Sequence, residues 1–405
     1  MGIATSMDAR QLLLRRSASQ LLDRRIDGEP ETAVRTLLAV QAQDRMSWRL
    51  ALRARVASIT ADHVNRALTE KRSLIVAWLN RGTLHLVCSE DYPWLLALTA
   101  PTTVNANARR LFQEGLPPGD VDRAVAFIER SLATEGPLTR TQLRDRLIDR
   151  GFRVEGQAMV QLLFATANRG VAVLGPMAGV HHAFAHAREW LGTAAEPLAG
   201  ERRQLALAEL ARRYLVGHGP ATERDLAKWA GLPLRDVRSG LRSIGSGLVE
   251  LDGGLLELAN RGSATRDSAA GAWVRGSATG AWGTASARGT AGARGTAGAR
   301  EPVDGSLPPR LLPAWDPCLV GWTQREPFLR REDEAPAIPP GGGLFRPVAT
   351  VDGVAAATWG INRERDRATI RIEPFRALDA DVQAALAAEA EDVARFEGLT
   401  LVGHA

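Results

Sequence analysis

Gln41 and Gln43 stand two residues apart, with Ala42 between them and Asp44 directly after. Each carboxamide carries an acceptor oxygen and two N–H donors, so the pair can hold and orient one small polar target, water included. It is far too weak a base to deprotonate that water beforehand. On extended backbone, residues i and i+2 project to one side, and both amides would address the same target. On a continuous helix they would diverge by roughly 200°, because 3.6 residues make a turn. The alternative is that both glutamines cap helix ends or face water. Asp44 is a real base beside the pair, unless it caps the helix that follows or pairs with Arg45 or Arg49.

The surrounding pattern says what must position these amides. Val34, Leu37 and Leu38 precede them and Trp48, Leu50, Ala51 and Leu52 follow, which predicts helices from about residue 31 into the glutamines and over 47–55. Upstream, leucines at 12, 13, 14, 21 and 22 predict a helix with a basic face over 8–25, ended by Gly28 and Pro30. Thr60 has the character of an N-cap for a helix carrying Val64, Ala67 and Leu68. Residues 73–87 read as two strands about Asn80, Arg81 and Gly82, where a glycine can take φ > 0. Arg81, Thr83 and His85 alternate there and could face one way, outward to a partner; the alternative is that Thr83 and His85 fill the space beneath the glutamines.

Helices followed by a hairpin form the order of a winged helix, and the order recurs over 121–184 and 201–258. In the second stretch Thr139 is the expected cap and a Gly/Pro turn joins two strands within 171–184. In the third, Asp252-Gly253 closes the hairpin. The expected fold is therefore mainly α with β-hairpin wings, an α+β class. It has three tandem winged-helix units at 1–118, 119–198 and 199–261. A low-complexity insertion follows at 262–306, expected to be disordered because Ala287–Gly292, repeated as 293–298, can bury almost nothing. A small α+β or barrel-like domain closes the chain at 307–405. A winged helix commonly binds DNA through one helix in the major groove, although the same fold also docks proteins.

Composition narrows the classes. The chain is 45% apolar over 405 residues, enough for real cores, and no run of about 18 uncharged apolar residues exists to span a bilayer. The N-terminus lacks the charged-then-apolar plan of a secretory signal, so a cytoplasmic protein is expected. Cys88 and Cys318 are too few for a disulfide framework or a thiolate metal site. His181 and His182 are adjacent, and neighbours on a strand point to opposite faces, so no metal is expected there. Net charge is +5 with Lys71 and Lys228 the only lysines, so the positive charge is arginine, whose fork suits phosphates and base edges.

Four segments taken together carry a resemblance: Leu37-Leu38-Ala39-Val40-Gln41-Ala42-Gln43-Asp44, Trp78-Leu79-Asn80-Arg81-Gly82-Thr83-Leu84-His85-Leu86, Tyr214-Leu215-Val216-Gly217-His218-Gly219-Pro220-Ala221-Thr222 and Leu311-Leu312-Pro313-Ala314-Trp315-Asp316. In this order they resemble the AlkZ-like winged-helix DNA glycosylases, a bacterial family whose founding members protect producers of azinomycin-type DNA alkylators. The likeness spans nearly the whole chain apart from 262–300. It implies tandem winged helices arranged as a C around duplex DNA. It also implies a Gln-apolar-Gln or Gln-apolar-Asp active centre, which falls on Gln41 and Gln43 with the small Ala42 between. Glutamine in the third place resembles the branch associated with bulky natural-product adducts and crosslinks.

The implied activity is monofunctional hydrolysis of the N-glycosidic bond of cationic N7- or N3-alkylated purines, including bulky adducts or interstrand crosslinks. Alkylation gives the purine a positive charge, so it leaves without an acid. The transition state resembles an oxocarbenium ion at C1′, which two carbonyl dipoles stabilise. No metal or other cofactor is expected. The partner is double-stranded DNA carrying alkylation damage, met by Arg45, Arg49, Arg81, Thr83 and His85, and the protein is expected to be a monomer with no membrane contact. A crosslinked purine cannot leave the stack freely, so attack from a groove without full extrusion is expected. The competing expectation is a winged-helix transcriptional regulator or non-catalytic DNA-binding protein.

Overall fold

Short capped helices feeding tight hairpins make up the first two-thirds of the chain. The computed structural model describes residues 7–44, 47–179, 181–259, 305–340 and 343–404. Helix α1 (Ala9–Ser19) begins at Asp8, whose carboxylate accepts from the Gln11 N–H while the Gln11 side chain accepts from the Asp8 N–H. Each member of this box satisfies a donor the helix itself cannot. The helix stops well short of residue 25, and Leu21 turns to a φ of 57° just beyond it. Pro30 opens α2 (Pro30–Leu37) rather than closing a helix, since a missing N–H costs nothing in a first turn. Strand β1 (Val40–Gln41), α3 (Ser47–Arg53), α4 (Ala61–Thr69), β2 (Leu74–Leu79) and β3 (Thr83–Cys88) complete this group. Thr60 caps α4 in a box with His63, and Gly82 takes a φ of 76° in the turn between β2 and β3, both as the sequence suggested.

Helices α5 (Tyr92–Thr99) and α6 (Val104–Gln113) lead to a second group: α7 (Pro118–Glu135), β4 (Leu138–Thr139), α8 (Arg140–Asp149), α9 (Ala158–Asn168), β5 (Ala172–Ala178) and β6 (His181–His186). The Gly/Pro pair expected in the turn lies inside β5 instead. The register shifts between Leu174 and Met177, and a Cβ on Gly175 would come within 2.5 Å of the Trp190 indole nitrogen. A bulge with no side chain lets that indole in. After α10 (Ala187–Leu191) come α11 (Gly200–His218), α12 (Glu223–Ala230), α13 (Leu234–Ser243), β7 (Leu248–Leu251) and β8 (Leu255–Leu258).

The first two hairpins are joined. Val76 of β2 pairs with Leu174 of β5, so a single six-stranded sheet runs β1-β3-β2-β5-β6-β4, with β1 on its edge. Alternation along the strands then divides the interior. Val76, Leu86, Leu174 and Phe184 enter a core shared with α3, α4, α7 and α9. Ile75, Ala77, Val87 and Val173 enter another, shared with α5, α11, α12 and the segment after residue 307.

The low-complexity segment lies, from 262 to 304, outside the described residues. Beyond it are β9 (Arg310–Leu312), α14 (Pro317–Val320), α15 (Glu334–Ala337), β10 (Val348–Val351), β11 (Val354–Glu364), β12 (Arg367–Pro374), α16 (Ala380–Glu397) and β13 (Thr400–His404). The barrel-like expectation is not met, because the sheet is open, ordered β13-β12-β11-β10-β9. The crossover through α16 brings β13 back parallel to β12, and Leu386, Ala390, Val393 and Phe396 of that helix are buried. A sheet whose apolar face is covered by a helix has no need to close on itself.

Candidate active site

The α2 helix ends at Leu37, and Leu38 takes a φ of 65°, which swings the chain out of the helix and along the sheet edge. Val40 then pairs with Leu86 and Gln41 with His85, antiparallel, and the Ala42 N–H donates to Leu84 O at 2.7 Å. Extended, sheet-paired backbone thus carries Gln41, and the pairing reaches as far as Ala42. Ala42 is buried in the core, Gln41 is half-buried and Gln43 is exposed. Its apolar neighbour turned inward, Gln41 is left on the opposite face. Because Ala42 and Leu84 form a hydrogen-bonded pair, Gln41 and His85 occupy the adjoining non-hydrogen-bonded position, where cross-strand side chains approach most closely. The Gln41 side-chain oxygen is buried without a hydrogen-bonding partner, and so is the Thr83 hydroxyl two residues from His85 on the same face.

Among the other expected site residues, His85 is 2% exposed and belongs to the interior wall rather than to an outer surface. Burial is the largest cause that pushes its pKa from 6.5 down to about 3, helped by the nearby Arg81 cation. Arg81 donates to Lys228 O and Trp229 O, so its guanidinium caps the carbonyl end of α12, where a cation is favoured. The expectation that Arg49 meets DNA fails on burial: it is 4% exposed and faces Asn65 Oδ1 at 3.1 Å and Glu397 at 3.6 Å. Arg45 lies outside the described residues.

Buried polar groups far away in sequence brace the strand that carries the amides. Arg55 and Asp316 form a bidentate pair at 2.7 and 2.8 Å, both fully buried. Arg55 also donates to the Gln20 side-chain oxygen, and Gln20 in turn donates to Gly217 O. Arg213 donates to Arg35 O near the end of α2 and pairs with Asp91. Sequence reading named Asp316 and Gly217 only as parts of motifs and missed Arg55, Gln20 and Arg213 altogether. An arginine inside an apolar helical run, as at Arg53 and Arg55, was the available signal, since such a charge is rarely buried unpaired.

A Cβ at Gly217 would lie 2.6 Å from Thr36 O and 3.0 Å from the Leu37 Cα, backbone that cannot rotate aside. Gly217→Ala is therefore expected to push α11 off the end of α2 and cost about 1–3 kcal/mol. A urea midpoint equal to wild type would refute the close approach. Two buried imidazoles give a second handle. His85 and His218 are both lowered to about 3, chiefly by burial. Unfolded, each titrates near 6.5, so their contribution is complete above that pH and falls away as pH drops toward 3. The slope is roughly 1.4 kcal/mol per pH unit for each histidine. The urea midpoint should fall between pH 7 and pH 5, and constancy over that interval would mean the rings are solvated.

A cleft of about 1110 Å³ lies elsewhere, between α12, α13 and the β7–β8 hairpin. It carries Arg224, Arg238 and Arg242 together with Glu223 and Glu250, and none of the glutamine-site residues.

A family model described as "DNA glycosylase AlkZ-like" matches residues 34–396, from α2 to the end of α16. The chain belongs to the AlkZ-like DNA glycosylase family. An interstrand DNA cross-link repair glycosylase of Streptomyces sahachiroi is 29% identical over 234 residues, 55% of this AlkZ-like chain and 60% of that protein. The solved structure of Streptomyces sahachiroi DNA glycosylase AlkZ matches with a TM-score of 0.71 at 23% identity, covering 99% of this chain and 100% of that one. At that identity the AlkZ likeness is one of fold, and activity has to be argued from the site.

Proposed function

We propose that this protein is a monofunctional DNA glycosylase that hydrolyses the N-glycosidic bond of cationic N7- or N3-alkylated purines in duplex DNA, bulky adducts and interstrand crosslinks included. The observation that carries this reading is the disposition of Gln41: an edge-strand amide with a buried, unpartnered oxygen, beside an imidazole held neutral by burial. Such a site orients water and meets developing positive charge with dipoles, but it supplies no strong base or acid. It suits only a bond already prepared to break, and an alkylated purine is that leaving group.

Gln43, two residues further along the chain, supplies the second carbonyl. The helix-and-hairpin groups act as tandem winged helices curved around the duplex. Phosphates are met by exposed arginines such as Arg235, Arg238 and Arg242, which share one face of α13 at helical spacing. The name of the Streptomyces sahachiroi relative supports crosslinks as a substrate class.

The test is incubation with a duplex carrying N7-methylguanine, followed by alkali. Strand breaks at the lesion are expected. Tight duplex binding with no alkali-labile sites would instead assign the chain to non-catalytic DNA binding.

A further inference from the structure

We propose that His85 is a third member of the water-holding set: its Nε2 accepts one hydrogen of the hydrolytic water, the other hydrogen going to the Gln41 side-chain oxygen. The inference rests on the glycosylase reading above and deepens it. Three geometric facts support it.

The first is the tautomer. His85 Nδ1 lies 2.9 Å from Thr83 O, the ring's one hydrogen bond among the described residues. A carbonyl only accepts, so Nδ1 must carry the hydrogen, and in a neutral ring Nε2 is then a bare acceptor. Burial, reinforced by Arg81, keeps the ring neutral across the physiological range. The second is the register. Gln41 and His85 are direct cross-strand partners in the close, non-hydrogen-bonded position, so both acceptors rise from one spot on one face. The third is the company they keep. The Gln41 oxygen and the Thr83 hydroxyl are both buried with no hydrogen-bonding partner. Buried polar atoms are normally satisfied, and a site for one water needs about two to four polar partners. Two acceptors and one hydroxyl on adjoining positions of a single face meet that need.

Held in this way, both hydrogens of the water point into the protein and a lone pair points outward, toward a sugar carbon presented at the sheet edge. The water oxygen bonds to C1′ as the bond from C1′ to the purine nitrogen breaks, and that bonding pair passes to the purine and discharges its cation. The attacking oxygen becomes an oxonium, a far stronger acid than an imidazolium. A weakly basic Nε2 is therefore sufficient to take its proton and release it to solvent.

The test is single-turnover base release from N7-methylguanine duplex by full-length protein, with duplex affinity and thermal midpoint measured in parallel. His85→Phe keeps the ring's bulk and loses the acceptor; release should slow about 100-fold with affinity within about 2-fold. His85→Gln restores an acceptor oxygen and should recover to within about 10-fold of wild type. Folded His85→Phe at the wild-type rate, or equal loss in both variants, overturns the proposal. Should His85→Phe not fold, the wild-type pH profile decides: a rate flat between about pH 5 and 9 supports a permanently neutral ring, and an inflection near 6.5 overturns it. Release that also survives Gln41→Ala and Gln43→Ala indicts the glycosylase site itself; release that survives His85→Phe alone indicts only this inference.

Discussion

Protein carrying Gln41→Ala and Gln43→Ala together is expected to release N7-methylguanine from duplex DNA at least about 1000-fold more slowly than wild type in single turnover, with duplex affinity changed less than about 3-fold. Removing one preorganised group that meets transition-state charge typically costs about 100- to 1000-fold. On the proposed mechanism the two amides address one water and one sugar, so the double loss should fall short of the product of the single losses. On the same proposal affinity is spared, because phosphate contacts rather than these amides hold the duplex. The fold is spared too, since Gln41 is half-buried and Gln43 exposed, and neither side chain makes a hydrogen bond within the described residues. Asp44→Asn is the informative companion: a collapse in rate there, with the glutamine variants still active, would move the catalytic role to the carboxylate.

The largest stability effect should come from a residue far from the chemistry. Asp316→Ala is expected to destabilise the chain by about 3–5 kcal/mol, a large share of the roughly 5–15 kcal/mol that holds a typical protein together. It strips the partner from the Arg55 guanidinium, which is fully buried. It also removes the cap on the first turn of α14, where the Asp316 carboxylate accepts from the Cys318 N–H at 3.0 Å. Urea unfolding of the purified variant reads this directly. A loss under about 1 kcal/mol would mean that water reaches the guanidinium and that the pair is not sealed. Because Arg55 also grips Gln20, which holds Gly217 against α2, a destabilised variant that still folds should release base more slowly as well.

Local chemistry made several elements legible from the chain alone. Thr60 and Thr139 cap the helices that follow them, Gly82 sits in the first hairpin turn and Asp252-Gly253 in the turn between β7 and β8, because caps and tight turns are decided by a few consecutive residues. The same local logic misled at Gly175-Pro176. A Gly/Pro pair reads as a turn, and only the Trp190 indole lying against it explains a bulge inside a strand. Arg49 was expected to face DNA, and His85 was open between facing DNA and filling the space beneath the glutamines, because alternation gives two sides to a strand or helix without saying which is wet. Packing of α3 against α16 and of the sheet against α5 and α11 made the choice.

What the sequence determined by itself is the chemistry on offer: two amides at a spacing that lets them act together on extended backbone, a histidine and a threonine alternating on a neighbouring strand, and helix and turn signals dense enough to predict the elements between them. What only the tertiary structure decided is which of those groups meet. The Gln41–His85 register, the pairing of β2 with β5 across about a hundred residues, and the sealing of Arg55 against Asp316 are long-range contacts. Loop closure and burial choose such partners, and neither depends on the identity of the nearest neighbours in the chain.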